Sequence, residues 1–444
     1  MKVLLITPVG QSKLLGSSFY FRFPFLSLPT VAGLTPPGVD VRIVDEKVDE
    51  IPWEARPDLV GITAMTPLAP RAYEIADRFR AAGVPVVLGG MHPSVLPEEA
   101  LGHADAVVAG EAESVWPRVI EDARQGTLAG VYRAEGFPDL GRCAAAPQRD
   151  LLAAEKYMPV TFMETSRGCP HGCHFCSVTR FFGGKHRTLP VDLVVAQLKE
   201  LKPTEKRFAI KNCVFFVDDN IIGDPDHAAA LFEAIRPFNL RWLGQTSIAI
   251  AQRPDLLRAM AASGCMGIEI GFETVSDTQE SKRIGKPVKD PAEVLEAVQV
   301  IHGHGIGIQG SFIFGFDHDA PGVFERTARF VDKARLDAVY VGILTPYPGT
   351  RSYRKLVEEG RILHERWEEY DTAHVVFEPK GMTPRELEAG YHRMLRHIYS
   401  WRSMGRRLLG SRTQPAFFVP MNLGFKVSLG RMLRELAAEA RGRA

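Results

Sequence analysis

The chain has 444 residues, of which 45% are hydrophobic and 24% charged, and its 54 basic and 53 acidic side chains leave a net charge of +1. This balance fits a globular protein of about three domains and excludes a disordered chain or one driven onto nucleic acid by its charge. Six cysteines are too few and too scattered for a disulfide framework, no apolar run reaches the roughly 18 to 20 residues of a membrane span, and the opening Met-Lys-Val-Leu-Leu-Ile-Thr-Pro is too short for a signal peptide, so a reducing cytoplasm is expected.

The pattern divides the chain into residues 1–135, a linker over 136–158, a second unit over 159–350 and a tail over 351–444. In the first unit, apolar runs predict strands at 2–7, 39–45, 59–65, 85–89 and 106–109, with helical spacing at 71–82, 98–102 and 113–123. Alternating strands and helices predict a flavodoxin-like or Rossmann-type parallel sheet that binds its ligand beyond the carboxyl ends of the strands. Those ends carry Thr7 and Pro8, Thr63, Met65 and Thr66, the pair Gly89 and Gly90 followed by His92, and Gly110 with Glu111 and Glu113. Paired glycines let a backbone approach a ligand closely. The G-x-G-x-x-G of nicotinamide sites is missing after the first strand.

Next comes the run Glu164-Thr-Ser-Arg-Gly-Cys-Pro-His-Gly-Cys-His-Phe-Cys-Ser177, which places Cys169, Cys173 and Cys176 in C-x3-C-x2-C spacing. Three thiolates around a four-iron cube leave one iron open to substrate, as an open coordination position marks a catalytic rather than a structural zinc. A zinc site completed by His171 or His174 is the alternative. Cys143, Cys213 and Cys265 read as buried thiols.

Strands predicted at 161–165, 214–217, 241–245, 267–272, 307–314 and 338–344, with helices such as 191–201 and 254–262 between them, make six repeating units, a partial (β/α)6 barrel. Catalytic groups of parallel barrels gather at the carboxyl ends of the strands. There stand Asp218, Asp219 and Asn220, able to accept hydrogen bonds from an ammonium, then Gln245 and Ser247, then Glu273, a carboxylate poorly explained as core, and Gly315. Tyr347 in the last turn is a candidate substrate contact. In the tail, Thr383-Pro-Arg-Glu386 starts a helix that runs to about Tyr399. Beyond Trp401, Arg402, Arg406, Arg407, Arg412, Lys426, Arg431 and Arg434 interleave with Leu408, Phe417, Phe418, Phe425 and Leu433. Such a mainly helical extension could lie on an anionic membrane, although a solvated helix covering the barrel is the commoner meaning of the pattern.

The cysteine run, with Phe175 just before its third cysteine, resembles the signature of the radical S-adenosylmethionine (SAM) superfamily. The resemblance implies a [4Fe-4S] cluster on Cys169, Cys173 and Cys176 whose open iron chelates SAM, and reductive cleavage of SAM to a 5'-deoxyadenosyl radical. It implies Phe175 against the adenine, Asp218, Asp219 and Asn220 at the methionine amine, Gln245, Ser247 and Glu273 at the carboxylate or ribose, and Gly315 in the adenine wall. With the Gly-Gly-x-His-Pro and Gly-Glu-x-Glu turns ahead of it, the chain is similar to radical SAM enzymes fused to a cobalamin (B12)-binding domain. By that likeness Thr7, Pro8, Thr63, Met65, Thr66, Gly89, Gly90, His92, Gly110 and Glu111 would face cobalamin. The D-x-H-x-x-G of many cobalamin methyltransferases is absent, so no histidine of the loop at 8–16 would reach cobalt; His92 either approaches the corrin or is an ordinary turn residue.

The implied activity is methylation of an unactivated carbon through the radical and methylcobalamin. Ring formation, ring contraction or oxidation, or a non-catalytic cobalamin-responsive protein, are the alternatives, as is a first domain that has lost its cobalamin. A methylthiotransferase would need cysteines in the first unit for a second cluster, and it has none. Expected partners are a small-molecule or lipid-like substrate and an electron donor such as flavodoxin or ferredoxin.

Overall fold

Val3, Leu4, Leu5 and Ile6 are consecutive and all buried, so side chains pointing to both sides of one strand are covered. That requires helices on both faces, the arrangement of a parallel sheet. The computed structural model, which describes residues 1–10, 22–143, 145–201, 212–275 and 290–442 with side chains to 434, shows this. The strands β1 (Lys2–Thr7), β2 (Asp40–Asp45), β3 (Leu59–Thr63), β4 (Val86–Gly89), β5 (Ala106–Ala109) and β6 (Gly130–Arg133) form one sheet in the order β2-β1-β3-β4-β5-β6, all pairs parallel. Its helices are α1 (Ser27–Leu34), α2 (Ala69–Ala81), α3 (Met91–Val95), α4 (Pro97–Leu101) and α5 (Trp116–Gln125). The chain order reverses at β1 and β3, which puts the ligand crevice at their carboxyl ends.

Three elements differ from expectation. β6 is an edge strand with only Tyr132 buried, so its sequence lacks an apolar run. α1 contains Pro29 and Thr30 and is fixed by packing, with Trp116 Nε1 donating to Thr35 Oγ1 at 2.9 Å. The Gly-Gly-Met-His-Pro segment is a turn only as far as Gly90, whose φ of 96° starts the short helix α3.

After α6 (Leu140–Cys143), the second sheet contains β7 (Thr161–Met163), β10 (Cys213–Phe216), β11 (Arg241–Thr246), β12 (Cys265–Glu273), β13 (Gly307–Phe314) and β14 (Ala338–Ile343) in the order β14-β13-β12-β11-β10-β7. Every pairing is parallel, and β7 and β14 are not joined, so the barrel stays open along one side. A small antiparallel pair, β8 (Ser166–Arg167) and β9 (Arg187–Thr188), flanks the cysteine loop and the helix α7 (Ser177–Phe181). α8 (Val191–Glu200), α9 (Pro225–Ile235), α10 (Pro254–Ala262), α11 (Pro291–Gly303) and α12 (Val323–Ala334) complete the units. Cys213 and Cys265 are buried as expected, whereas Cys143 is only half-buried.

The tail holds α13 (Arg351–Glu358), α14 (Pro384–Ile398), α15 (Trp401–Leu408) and α16 (Pro415–Gly442) and no third sheet among the described residues. Thr383 and Glu386 form the reciprocal capping box at the start of α14. The basic and aromatic residues of α15 and α16 do not all form a surface. Phe418 is 2% exposed and occupies the space beside Gly267 and Gly307 at the amino ends of β12 and β13, closing the bottom of the barrel. Arg407 is fully buried, donating to the carbonyls of Leu336 and Ile398, both at 2.9 Å, and to Asn422 Oδ1 at 3.1 Å. No described helix is long and apolar enough to cross a membrane.

Arg407→Ala would leave those buried acceptors without donors, at about 1 kcal/mol or more each. A loss of about 3 kcal/mol is expected in urea unfolding of the cofactor-free chain; an unchanged midpoint would show that water replaces the guanidinium.

Candidate active site

Cys169, Cys173 and Cys176 lie half-buried between β8 and α7 and form no disulfide. Cys176 caps α7; burial raises its thiol pKa against the pull of the Val178 and Thr179 backbone N–H groups, and Asp219 and Cys169 are close enough to raise it further. His171 and His174 fix the loop through their carbonyls, which accept from Thr179 Oγ1 at 3.2 Å and Ser352 N at 3.0 Å. Among the described residues no three His, Cys, Asp or Glu side chains converge as the ligands of one metal ion would. Three free thiols on one partly exposed loop are the donor set that a four-iron cluster with one open iron takes.

The residues after β10 divide by role. Asp218 is fully buried: its Oδ1 accepts from Thr165 N at 3.1 Å, Thr165 Oγ1 at 2.8 Å and Ser166 Oγ at 2.6 Å, and burial pushes its pKa up to about 7. Asn220, 4% exposed, accepts from Thr246 Oγ1 at 3.1 Å and ties the ends of β10 and β11 together. In this structure Asp218 braces the loop's root through Oδ1, with Oδ2 buried and without a hydrogen-bond partner among the described residues, and Asn220 is turned toward Thr246. Asp219 accepts from Gly168 N at 2.9 Å, retains partial exposure beside Cys176 and has a pKa raised by burial to about 6.

Gln245 and Ser247 are half-exposed at the end of β11. Glu273 ends β12 in left-handed conformation, φ 64°, 8% exposed, where the pairing with β13 shifts register. A non-glycine residue held in that region is strained, and such strain concentrates at functional sites. Phe175 meets Phe316 edge to face, centroids 5.8 Å apart, at the end of β13. Gly315 has φ 106° and its Cβ direction is filled by Phe377 and Leu387, so tail packing alone requires glycine there. Tyr347 packs with Leu96 and Trp367.

In the first unit the half-exposed Thr63, Gly89, Gly90 and Gly110 share the carboxyl edge of the sheet with the buried Pro8 and with Met65, an apolar side chain left 50% exposed. A Cβ on Gly90 would come within 2.8 Å of Ala64 N and Thr63 Oγ1, whereas one on Gly110 would enter open space. A flat apolar ledge with bare backbone beside it fits a corrin ring. Thr7 and Thr66 are on the same edge but buried, at 7% and 5% exposure. His92 is fully buried, its Nε2 lies 3.2 Å from Glu99 Oε1, and its ring meets Trp367 edge to face.

Glu111 is paired with arginines of the second unit, a junction the sequence reading missed. Arg167 Nη1 donates to Glu111 Oε1 at 2.6 Å and to Glu113 Oε1 at 2.5 Å, Arg167 Nε to Glu164 Oε1 at 2.9 Å, and Arg187 Nη2 to Glu111 Oε2 at 2.7 Å. Arg167 is 10% exposed, Glu111 4% and Glu113 3%. Burial opposes the guanidinium charge, but Glu164, Glu113 and Glu111 together raise its pKa. The Gly-Glu-x-Glu turn of the first sheet therefore grips the residue two places before Cys169. A second clamp joins Glu99 to Trp367 Nε1 at 3.1 Å and to Tyr73 Oη at 2.9 Å. Between the clamps, Gly349 has Val95 on one side and Arg180 on the other. The carboxyl edges of both sheets thus face each other across the cysteine loop.

Arg167→Ala would strand the buried carboxylate of Glu113 and leave Glu111 to Arg187 alone, at a cost on the order of 3–5 kcal/mol. Amide exchange of the cofactor-free chain is expected to rise at 108–113 and 164–168 together, and Arg187→Ala, which leaves Arg167 in place, should raise it less; unchanged protection in Arg167→Ala would contradict the junction.

The Radical SAM superfamily model matches residues 163–331, and the B12 binding domain model matches residues 13–120. Across 94% of this chain and 91% of the relative, the sequence is 33% identical to the bacteriochlorophyllide d C-12(1)-methyltransferase of Chlorobaculum tepidum. It is 30% identical, over 86% of this chain and 87% of the relative, to the bacteriochlorophyllide d C-8(2)-methyltransferase of the same organism. Among solved structures, the fold is similar to the cobalamin-dependent SAM radical enzyme OxsB (TM-score 0.68, 16% identity, 99% of this chain and 80% of that one) and to the radical SAM methyltransferase TsrM of Kitasatospora setae (TM-score 0.67, 15% identity, 98% and 99%). With both domains matched in order, a whole-length relative at 33% identity, and an open-sided barrel whose three cysteines face a cobalamin-type sheet edge, the chain belongs to the cobalamin-binding radical SAM enzymes, takes a [4Fe-4S] cluster, SAM and cobalamin, and functions in radical methyl transfer.

Proposed function

We propose that the chain methylates an unactivated carbon of a large, ring-bearing, mostly apolar small molecule, with tetrapyrrole pigments as the class to test first. The observation that carries this reading is the opposition of the two sheet edges, with the cysteine loop on one and the ledge of Met65, Gly89, Gly90 and Gly110 on the other. The whole-length identity to two bacteriochlorophyllide d methyltransferases supports the substrate class.

When bound, the cofactors supply a radical able to take hydrogen from carbon and a methyl group to replace it. The chain's own task is positioning and exclusion of water. Cys169, Cys173 and Cys176 would hold the cluster. Asp219, the partly exposed carboxylate beside Cys176, is suited to the SAM ammonium, with Gln245, Ser247 and Glu273 lining the strand ends beyond it and Phe175 against the adenine. Pro8, Thr63, Met65, Gly89, Gly90 and Gly110 would meet the corrin. An acidic electron carrier such as a flavodoxin or ferredoxin supplies the electron, and a reducing cytoplasm suits the thiols. The exposed Trp401, Leu409, Val419, Leu423 and Val427, mixed with Arg402 and Arg406, support a peripheral contact with an anionic membrane as a further feature of this reading.

The test is anaerobic reconstitution with iron, sulfide and cobalamin, followed by turnover with a bacteriochlorophyllide and a low-potential reductant. Methylated product with comparable amounts of S-adenosylhomocysteine and 5'-deoxyadenosine is expected, and Cys173→Ala should abolish 5'-deoxyadenosine. 5'-Deoxyadenosine without S-adenosylhomocysteine would overturn methyl transfer in favour of another radical reaction.

A further inference from the structure

The cysteine loop has one rim that neither sheet covers. Its root is buried by Glu111 and Glu113, α7 packs on α3, and Phe175 is backed by Phe316. The outer rim, with Pro170 exposed and His171 and His174 half-exposed, rests on α13 through the bond from Ser352 N to the His174 carbonyl.

That rim is basic. Arg351, Arg354 and Lys355 on α13 and Arg180 and Lys185 after the loop are all exposed. Arg180 lies against Gly349, in the turn that leads into α13. Lys355 is matched by Asp317 and Glu359, whereas among the described residues Arg180, Lys185, Arg351 and Arg354 have no carboxylate at ion-pair distance. Glu359, just beyond the end of α13, is shared among Lys355, Arg361 and Lys380. Unmatched exposed cations on one face steer an anionic partner and raise its association rate at low salt.

We propose that this face, centred on Arg351 and Arg354 with Arg180 beside them, is the docking surface for a small acidic one-electron carrier protein. The inference rests on the radical SAM reading and specifies where its reductant binds. The carrier's reduced flavin or iron–sulfur centre gives up one electron and is oxidised by one unit, the cluster on the three cysteines is reduced by one unit, and no bond or proton moves. Docking at this rim brings the carrier to the side of the loop from which the cysteines are reached without crossing either sheet.

The test uses the full chain carrying Arg351→Glu and Arg354→Glu. 5'-Deoxyadenosine formation is followed with flavodoxin hydroquinone and, separately, with dithionite. Binding of oxidised flavodoxin to the cluster-free chain is measured at low and high salt. A loss of about tenfold in the flavodoxin-driven rate at low salt is expected, with weakened binding, a smaller difference from wild type at high salt and an unchanged dithionite-driven rate. Arg431→Glu with Arg434→Glu, on α16, should change neither rate. Wild-type binding and flavodoxin-driven rate in the α13 variant would overturn the proposal, as would an equal fall with both reductants, which would place the arginines in support of the loop. A wild-type chain that is reconstituted with cluster yet silent with both reductants would instead overturn the radical SAM reading and remove the basis for docking.

Discussion

The buried charge of Arg167 is the constraint from which the geometry of the site follows. A guanidinium taken out of water is costly unless carboxylates surround it, and here they come from two sources: Glu164 of its own strand connection and Glu111 with Glu113 of the other sheet. The charges are satisfied only when the two sheets are docked. Two residues further on is Cys169, and the same stretch is held from the barrel side by Asp218 on Thr165 and Ser166 and by Asp219 on Gly168. Docking and the shape of the cysteine loop are therefore one event. Radical chemistry needs this arrangement, because a radical formed away from its target reacts with whatever is nearest.

The tail contributes from the other end. Trp367 reaches Glu99 in the first unit, Phe377 and Leu387 fill the space beyond Gly315, and Phe418 closes the barrel floor beneath β12 and β13. The open side of the barrel and the cleft under the first sheet are thus framed by residues far apart in the chain. Covering of this kind excludes water from the facing edges, which strengthens the electrostatic contacts there.

Chemistry with a local requirement was legible in the sequence. Three thiolates for one cluster must be close in the chain, a buried parallel strand must be an apolar run, and a capping box spans four residues, so Cys169 to Cys176, the apolar strands of the two large sheets other than β6, and the start of α14 could be read. What depends on distant partners could not. Arg167 and Glu113 stood inside the two motifs singled out, but their pairing spans 54 residues. Asp218 and Asn220 share a tripeptide with Asp219, and only burial separates the two supports from the residue left beside Cys176. A basic run promised a surface, yet Arg407 lies in the core because carbonyl oxygens of the connection before β14 and of the end of α14 converge on it. β6 was missed because an edge strand needs no apolar run.

The measurement that bears most directly on the account is the magnetic dipolar coupling between cob(II)alamin and the reduced cluster in the anaerobically reconstituted chain, recorded by pulsed electron paramagnetic resonance. If the carboxyl edges of the two sheets face each other across the cysteine loop, the two centres couple with a single narrow distance distribution. A cobalamin signal that is unaffected by reduction of the cluster, or a broad distribution of distances, would mean that the two cofactors do not share one site, and would contradict the central claim.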